Sequence, residues 1–265
     1  MKHAPIFFLT DFGVADSFVG IMKAVALGMG FEGPMVDLAH GIPPSDILAA
    51  ALNLEDAWPY LPNGSVVVAV VDPGVGTSRR PLVMKVGERY VVAPDNGIVT
   101  PLLRPEAELR QINKGGAIRP DRSATFHGRD VFTPAAALIA MNPRRFEEIG
   151  PVLANPTTLD MPTAQVTSTG TVILTVVAVD RYGNATLNHS LRDKTPIPLE
   201  RGEFESSSGL LGPLRRTYAD VPTGCPVVYW NSAGRLEVAV NGGHAARSLQ
   251  LGVGATVHFK TMSKR

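Results

Sequence analysis

Apolar runs alternate with amphipathic stretches in the first third of the chain. Short buried strands are predicted at 5–9, 34–38 and 66–71, because each is an apolar run that ends at turn or polar residues. Between them, apolar residues recur at helical spacing from Val19 to Leu27 and from Ile47 to Leu54. This β-α-β-α-β order predicts a parallel sheet with right-handed crossovers.

The pattern changes farther along the chain. A hairpin is predicted over 82–93 with its turn at Gly87-Glu88, followed by an Ala-rich helix over 131–141. Residues 142–169 are rich in proline and have no clear periodicity, which is typical of an interdomain linker. After them the chain is β-rich, with Gly-containing turns and no strong helical pattern.

These patterns predict two domains in the 265-residue chain. Residues 1–160 are expected to form an α/β N-terminal domain with a mainly parallel sheet. Residues 168–265 are expected to form a C-terminal antiparallel β-barrel domain.

The amino-acid composition argues against several classes of function. The hydrophobic fraction of 45% and the charged fraction of 18% are typical of a globular protein. Basic and acidic residues are balanced at 25 and 24, so no general field favours nucleic acid or an anionic membrane. Cys225 is the only cysteine, which excludes an intrachain disulfide and a thiolate metal cluster. No apolar run is long enough for a membrane span or a signal peptide, so we expect a cytoplasmic protein.

The stretch from Ser65 to Arg80 concentrates candidate chemistry. Its apolar strand stops at Asp72, the pair Pro73-Gly74 forces a turn, and Arg79-Arg80 follow. In open α/β sheets, ligands bind outside the carboxyl ends of strands, so this order indicates a polar pocket. A plain β-turn with two surface arginines is an equally good interpretation of the stretch alone.

Six carboxylates and histidines lie at predicted strand ends, where a parallel sheet would bring them to one edge: Asp11, Asp16, His40, Asp72, Asp95 and His127. Three uses remain open. They are a metal site, acid–base work on a bound water by Asp72, Arg79 and His127, and recognition of ribose hydroxyls and an amino group. No glycine-rich nucleotide loop is present, which disfavours a dinucleotide or nucleoside triphosphate.

Two turns in the second half carry further candidates. The run Asp180 to Asn184 combines a carboxylate, an aromatic ring and an amide, which together can bind a flat heterocycle. The run Asn231 to Gly234 is similar. In isolation, each is more typical of an ordinary hairpin turn.

Six segments occur together in a characteristic order: LTDFGVADSFVGIMKA, VVDPGVGTSRR, APDNG, TFHGRD, VDRYGN and NSAGRLEVAVNGGHAA. In this order the chain resembles the S-adenosyl-L-methionine (SAM) hydroxide adenosyltransferase family, which is related to the SAM-dependent fluorinase and chlorinase. The resemblance implies an α/β domain joined to a β-barrel. It also implies a homotrimer with active sites between subunits, SAM as substrate, and no metal or other cofactor.

The same resemblance implies roles for individual residues. Asp72, Arg79 and His127 would be catalytic, in an attack of water or hydroxide on the ribose C5′ of SAM that yields adenosine and L-methionine. Arg79 would favour hydroxide, His127 would accept or relay the proton, and Asp72 would orient the group. The implied substrate-binding residues are Asp11 for the ribose, Asp16 and Asp180 for the methionine end, Tyr182 and Asn184 for adenosine, and Ser232 and Glu237 as further contacts.

Departures from the halogenases favour water as the nucleophile. Halogenases have Tyr at the position of Asp72 and Thr at that of Val75, and the fluorinase has Ser at that of Gly128. A bare halide also needs few competing charges, which Asp72 and His127 would not allow. Two further hypotheses stay open: a SAM or adenosine sensor without catalysis, and a metal-dependent hydrolase that uses His40 with the carboxylates.

Overall fold

The computed structural model describes residues 3–114, 116–193 and 197–261, and its chain divides into two compact units, one up to Asp160 and one from Met161 onward. The strands of the first unit are β1 (Ile6–Thr10), β2 (Met35–Ala39), β3 (Val66–Val70), β4 (Pro81–Val86), β5 (Arg89–Pro94) and β6 (Glu108–Gln111). Its α-helices are α1 (Phe18–Gly28), α2 (Ile47–Ala57), α3 (Thr133–Met141) and α4 (Arg145–Glu148). Short turns of 3₁₀-helix cover Trp58–Tyr60 and Thr100–Leu102, and a π-helix covers Gly128–Phe132.

The sheet of the first unit is mixed, so the prediction of a mainly parallel sheet is wrong. Its strand order is β2-β1-β3-β5-β4-β6. Strands β2, β1, β3 and β5 are parallel, whereas β4 is antiparallel to both β5 and β6. The hairpin at Gly87-Glu88 accounts for the difference, because a two-residue connection can join only antiparallel strands.

Strand β3 is the centre of this unit. All five of its residues are buried, and they alternate between the two faces of the sheet. Val66, Val68 and Val70 pack in an apolar core that includes residues of α1 and α3, while Val67 and Ala69 pack in a second core that includes residues of α2. Burial on both faces explains the uninterrupted apolar run and fixes where Asp72 leaves the sheet.

The segment predicted as a linker packs on the first unit over its described residues up to Asp160. Phe146 and Ile149 lie in an apolar core. The backbone N–H of Thr157 donates to Asp95 at 2.7 Å, and that of Leu159 donates to Thr100 at 2.9 Å. The prolines interrupt helical periodicity without preventing burial, which is why the pattern suggested a linker.

The second unit is β-rich. Its strands are β7 (Gln165–Val166), β8 (Val172–Val179), β9 (Ala185–Ser190), β10 (Gly202–Ser206), β11 (Gly209–Gly212), β12 (Leu214–Arg215), β13 (Pro226–Trp230), β14 (Arg235–Val240) and β15 (Thr256–Thr261). Its described helices are α5 (Ala245–Ser248) and a 3₁₀ turn, Tyr218–Asp220.

These strands form a nearly closed, barrel-like sheet around one main apolar core. The order is β11-β10-β15-β8-β9-β14-β13-β12, with β7 paired to β8. All pairs are antiparallel except β12 with β13, and β11 also contacts β13 from the other end of the order. Within the part of the chain that the structure describes, no helix combines the length and apolar character that crossing a bilayer requires.

Candidate active site

Asp72, Arg79 and His127 are in direct contact in the first unit. Arg79 Nε donates to Asp72 Oδ1 at 2.9 Å, and Arg79 Nη2 donates to Asp72 Oδ2. The same Nη2 also lies 2.7 Å from His127 Nδ1. The Asp72 and Arg79 side chains are only 5% and 10% exposed, so this is a buried ion pair with a histidine attached.

The loop after β3 brings these residues together. Thr77 Oγ1 donates to the carbonyl of Gly74 at 2.7 Å and closes the turn between Asp72 and Arg79. Gly76 has a φ of +81°, and a Cβ there would lie 2.9 Å from the carbonyl oxygen of Ala124. Glycine is therefore required at this position, because it lets the loop approach the segment that carries His127.

His127 is held as a hydrogen-bond acceptor through Nδ1. A guanidinium has only donors, so Nδ1 must be unprotonated and the neutral ring carries its proton on Nε2. Burial lowers the pKa of His127, and the positive charges of Arg79 and Arg122 lower it further. The ring is therefore neutral near pH 7 and presents an N–H donor on its far side.

Asp130 anchors the segment that carries His127. Its fully buried carboxylate accepts two hydrogen bonds from Arg129, each at 2.7 Å, and one from the backbone N–H of Ser123 at 2.8 Å. Burial alone would raise the pKa of Asp130, but the bonds from Arg129 and Ser123 bring it below its usual value. This anchoring fixes the π-helix that begins just after His127.

A cavity of ≈ 310 Å³, called the front cavity here, is lined by Asp72 and His127 but not by Arg79. It is lined by Asp11, Phe12, Phe18, Ser45, Val70, Asp72, Pro73, Val75, Thr125, Phe126, His127 and Gly128. Its two carboxylates come from the ends of β1 and β3, as expected for the carboxyl edge of parallel strands. Asp11 is fixed there by the backbone N–H of Ser45, which donates to Oδ2 at 2.9 Å.

Three aromatic rings in the front cavity were not predicted as site residues. Phe12, Phe18 and Phe126 contact one another with ring centroids 5.5–6.0 Å apart. They occur in the two segments, LTDFGVADSF and TFHGRD, that also contain Asp11 and His127. Their position beside predicted polar residues is the signal that could have identified them.

Arg80 has a different environment from Arg79. Its Nε donates to Asp95 Oδ2 at 2.7 Å, and its Nη2 donates to the carbonyl of Asn155 at 2.7 Å. Asp95 also accepts a hydrogen bond from the backbone N–H of Thr157, so both oxygens of this buried carboxylate are hydrogen-bonded within the protein. The pair Arg80–Asp95 therefore holds residues 155–157 and does not line the front cavity.

Asp16 and His40 also lie outside the front cavity lining. Asp16 is exposed and has no hydrogen bond or ion pair to another described residue. His40 is buried between Thr10 Oγ1, 2.8 Å from Nδ1, and Asp37 Oδ1, 2.9 Å from Nε2. The carbonyl of His40 accepts the N–H of Gly13, so this histidine supports the turn after Asp11.

In the second unit, Asp180 organises its own turn. Its Oδ1 accepts the backbone N–H groups of Tyr182 and Asn184, both at 2.9 Å, and its Oδ2 accepts the Asn184 side chain at 2.9 Å. Gly183 in this turn has a φ of +87°, and its carbonyl accepts the N–H of Ala246 at 2.9 Å. The turn is therefore tied to the segment that opens α5.

A chain of hydrogen bonds runs from Asn184 to Glu237. Asn184 Nδ2 donates to Tyr218 Oη at 3.1 Å, the Tyr218 and Tyr229 hydroxyls are 2.5 Å apart, and Tyr229 donates to Glu237. Burial, together with these bonds, raises the pKa of Tyr229 far above its usual value. Glu237 also accepts hydrogen bonds from Asn231 and Thr186, so its carboxylate is hydrogen-bonded to three residues of the same unit.

Tyr182 and Ser232 are exposed on the second unit, and Arg181 lies over the Tyr182 ring with 6.0 Å between its Cζ and the ring centroid.

Among the described residues, no group of three or more His, Cys, Asp or Glu is placed to hold a metal ion.

Comparisons with known proteins place this geometry in context. The family model for the SAM hydroxide adenosyltransferase N-terminal domain matches residues 6–150, and that for the C-terminal domain matches residues 174–258. A protein named (R)-S-adenosyl-L-methionine hydrolase from Thermus thermophilus is 43% identical, covering 96% of this chain and 99% of that protein. A fluorinase from an Actinoplanes species is more distant, at 26% identity over 95% of this chain and 96% of its own.

Solved structures agree with the fold. An uncharacterized conserved protein from Thermotoga maritima superimposes with a TM-score of 0.87 at 34% identity, covering 96% of this chain and 99% of that one.

The lowered pKa of His127 predicts a pH dependence of stability. Because the unfolded chain binds this proton more readily than the native state, the free energy of unfolding falls as pH drops below the unfolded pKa of about 6.5. The free energies of unfolding of the wild type and His127→Gln can be compared by urea unfolding at several pH values. Their difference should be constant above about pH 7.5, and towards pH 5 the wild type should lose stability relative to His127→Gln. An identical difference at both ends would contradict the lowered pKa.

The turn at Gly183 predicts a second stability effect. Gly183→Ala should lower the free energy of unfolding by roughly 2–4 kcal/mol, because a Cβ would overlap the His244 ring and the φ is positive. Gly212→Ala is the matched control, since Gly212 has a φ of +86° but nothing within 4 Å of an added Cβ. Equal losses in chemical denaturation would show that the His244 contact is unimportant.

Proposed function

The chain belongs to the SAM hydroxide adenosyltransferase family, and we propose that its front cavity is where SAM is hydrolysed to adenosine and L-methionine. The observation that carries this proposal is that Asp72 and His127, both bonded to Arg79, line the same cavity as Asp11. A buried, mutually bonded group of this kind is suited to positioning a small nucleophile.

The character of the front cavity suits a cationic substrate. Asp11 and Asp72 supply negative charge, and Phe12, Phe18 and Phe126 supply aromatic surfaces that favour a positive ligand. SAM carries a sulfonium beside its ribose, and a carboxylate such as Asp11 can accept hydrogen bonds from ribose hydroxyls. The lining therefore matches both the charge and the polar groups of the substrate.

The reaction needs little beyond a positioned nucleophile. Oxygen bonds to C5′ as the C5′–S bond breaks, and the electron pair passes to sulfur, which leaves as the neutral thioether of methionine. No acid is required for this departure. The positive charge of Arg79 favours hydroxide character at the attacking oxygen, and positioning can supply several kcal/mol of the barrier reduction.

The bonding of His127 redefines its proposed role. Its Nδ1 already accepts from Arg79, so the neutral ring can donate from Nε2 but has no free lone pair. We therefore assign His127 to hold the attacking water by donation. Asp72 keeps lone pairs beyond the bonds from Arg79, so it takes the water proton and passes it to solvent.

The other substrate contacts that the resemblance implies fall on residues of the second unit. Both side-chain N–H groups of Asn184 are used by Asp180 and Tyr218, which leaves its Oδ1 to accept from a donor such as the adenine amino group. Asp180 and Glu237 act in this proposal by fixing Asn184, and Tyr182 and Ser232 offer exposed contacts. The homotrimer with inter-subunit sites, the absence of a cofactor and the role of Asp16 stay predictions.

Halogenation is disfavoured by the packing around Gly128. A Cβ at this position would lie 3.2 Å from both Met22 Sδ and Phe12 Cε2. A serine there, as the fluorinase has, would therefore require these neighbours to move. The carboxylate of Asp72 next to the cavity would also repel a halide.

Incubation with SAM in ¹⁸O-water tests the proposal directly. Mass spectrometry should find adenosine with one ¹⁸O at its 5′ oxygen, together with unlabelled methionine. Chlorinated adenosine in the presence of chloride would favour a halogenase instead. Tight binding of SAM without turnover would favour a sensor.

The two neighbouring arginines give a matched pair of variants. Arg79→Gln should lower kcat by about 10²–10³-fold with a much smaller change in KM, because it removes charge from the reacting group. Arg79→Lys should recover only part of this loss, since lysine cannot bond Asp72 side-on. Arg80→Gln should leave kcat nearly unchanged while lowering the free energy of unfolding by about 1–2 kcal/mol. Equal kinetic effects at both positions would contradict the assignment.

A further inference from the structure

A second cavity is also lined by His127. It has a volume of ≈ 220 Å³, and we call it the rear cavity. It is lined by Gly76, Thr77, Arg79, Pro81, Arg122, Ala124, His127 and Val131. His127 is the one described residue that lines both cavities.

The two cavities have opposite charge. The front cavity contains Asp11 and Asp72, whereas the rear cavity contains Arg79 and Arg122 and no carboxylate among its described lining residues. A cationic substrate matches the first lining and is repelled by the second. The rear cavity is therefore suited to a different ligand.

Both guanidinium groups of the rear cavity have some hydrogen-bond donors without a partner among the described residues. Arg79 uses Nε and Nη2 for Asp72 and His127, and its Nη1 has no bond to another described residue. Arg122 is exposed, and its side chain has no hydrogen bond or ion pair within the described residues. Two guanidinium groups with free N–H donors are the arrangement that proteins use to bind tetrahedral oxyanions.

We propose that the rear cavity binds a small oxyanion, of the size of inorganic phosphate or sulfate, between Arg79 and Arg122, and that this anion inhibits catalysis at the front cavity. The inhibitory part rests on the proposed function, but the binding part does not. A bound anion neutralises charge next to His127 and competes with Asp72 for the Arg79 guanidinium. Both effects weaken the field that favours hydroxide without touching the surface that binds SAM.

The kinetic test is inhibition by inorganic phosphate at constant ionic strength, balanced with a bulky sulfonate buffer. Phosphate should lower kcat and leave KM for SAM unchanged, the pattern expected for an effector that does not occupy the substrate surface. In Arg122→Gln the inhibition constant should rise by about tenfold or more, as expected for loss of a charge-assisted contact. Arg144→Gln is the matched control, since Arg144 is also exposed, lacks a side-chain partner among the described residues and does not line the rear cavity.

A binding test works without turnover. The positive charges that lower the pKa of His127 are those that phosphate would neutralise, so phosphate should raise the pKa of His127 in an NMR titration. The His127 signal is identified by its loss in His127→Gln. The upward shift should persist in Arg144→Gln and be strongly reduced in Arg122→Gln.

Three results would overturn the proposal. They are competition of phosphate with SAM, equal sensitivity of the two glutamine variants, and a pKa of His127 that phosphate leaves unchanged. Lack of SAM hydrolysis together with an Arg122-dependent pKa shift would instead reject the proposed function and retain the anion site.

Discussion

The Arg79 guanidinium joins segments that are distant in sequence. It bonds side-on to Asp72 at the end of β3, donates to His127 before the π-helix, and lies over the Phe132 ring with its Cζ 5.1 Å from the ring centroid. Removing such a group from water is costly, and the cost is offset only when its bonds are well made. The loop after β3 and the start of α3 are therefore held in a single arrangement by one side chain.

This constraint explains why two adjacent arginines have separate roles. Successive residues of an extended chain point to opposite sides, and Arg79 and Arg80 immediately precede β4. Arg79 turns towards Asp72, while Arg80 turns towards the buried carboxylate of Asp95. The Asp72–Arg79 pair lines the two cavities, whereas the Arg80–Asp95 pair holds residues 155–157. The proposed catalytic role and the local stabilising role therefore fall on different guanidinium groups.

Local patterns predicted local features well. The apolar run before Asp72, the amphipathic helices and the hairpin at Gly87 each follow from periodicity or turn residues within a few positions. The mixed sheet follows from that same hairpin, so its antiparallel strand was predictable once the turn was combined with the parallel order. The predicted linker was wrong as far as Asp160, because burial of Phe146 and Ile149 depends on distant partners that a composition pattern does not contain.

Pairing between residues distant in sequence also decides which of the predicted side chains line the front cavity. Asp95 and His40 lie at strand ends as expected. However, Arg80 bonds to Asp95 and Asp37 bonds to His40, and sequence spacing alone could not predict these pairings. The motif order resembling the family indicated Asp72, Arg79 and His127 as a group, and the fold brings them into contact.

The protonation of His127 depends on that contact. Because Arg79 occupies Nδ1, the ring must donate from its other nitrogen, and the residue types alone cannot determine this. His127 lines both an acidic cavity and a basic one, and burial together with the charges of Arg79 and Arg122 lowers its pKa. The neutral ring is thus maintained by burial and by two arginines, one buried and bonded, the other exposed and open to ions from solvent. In the proposed mechanism, such an arrangement links the reaction to the ions around the protein without altering the surface proposed to bind SAM.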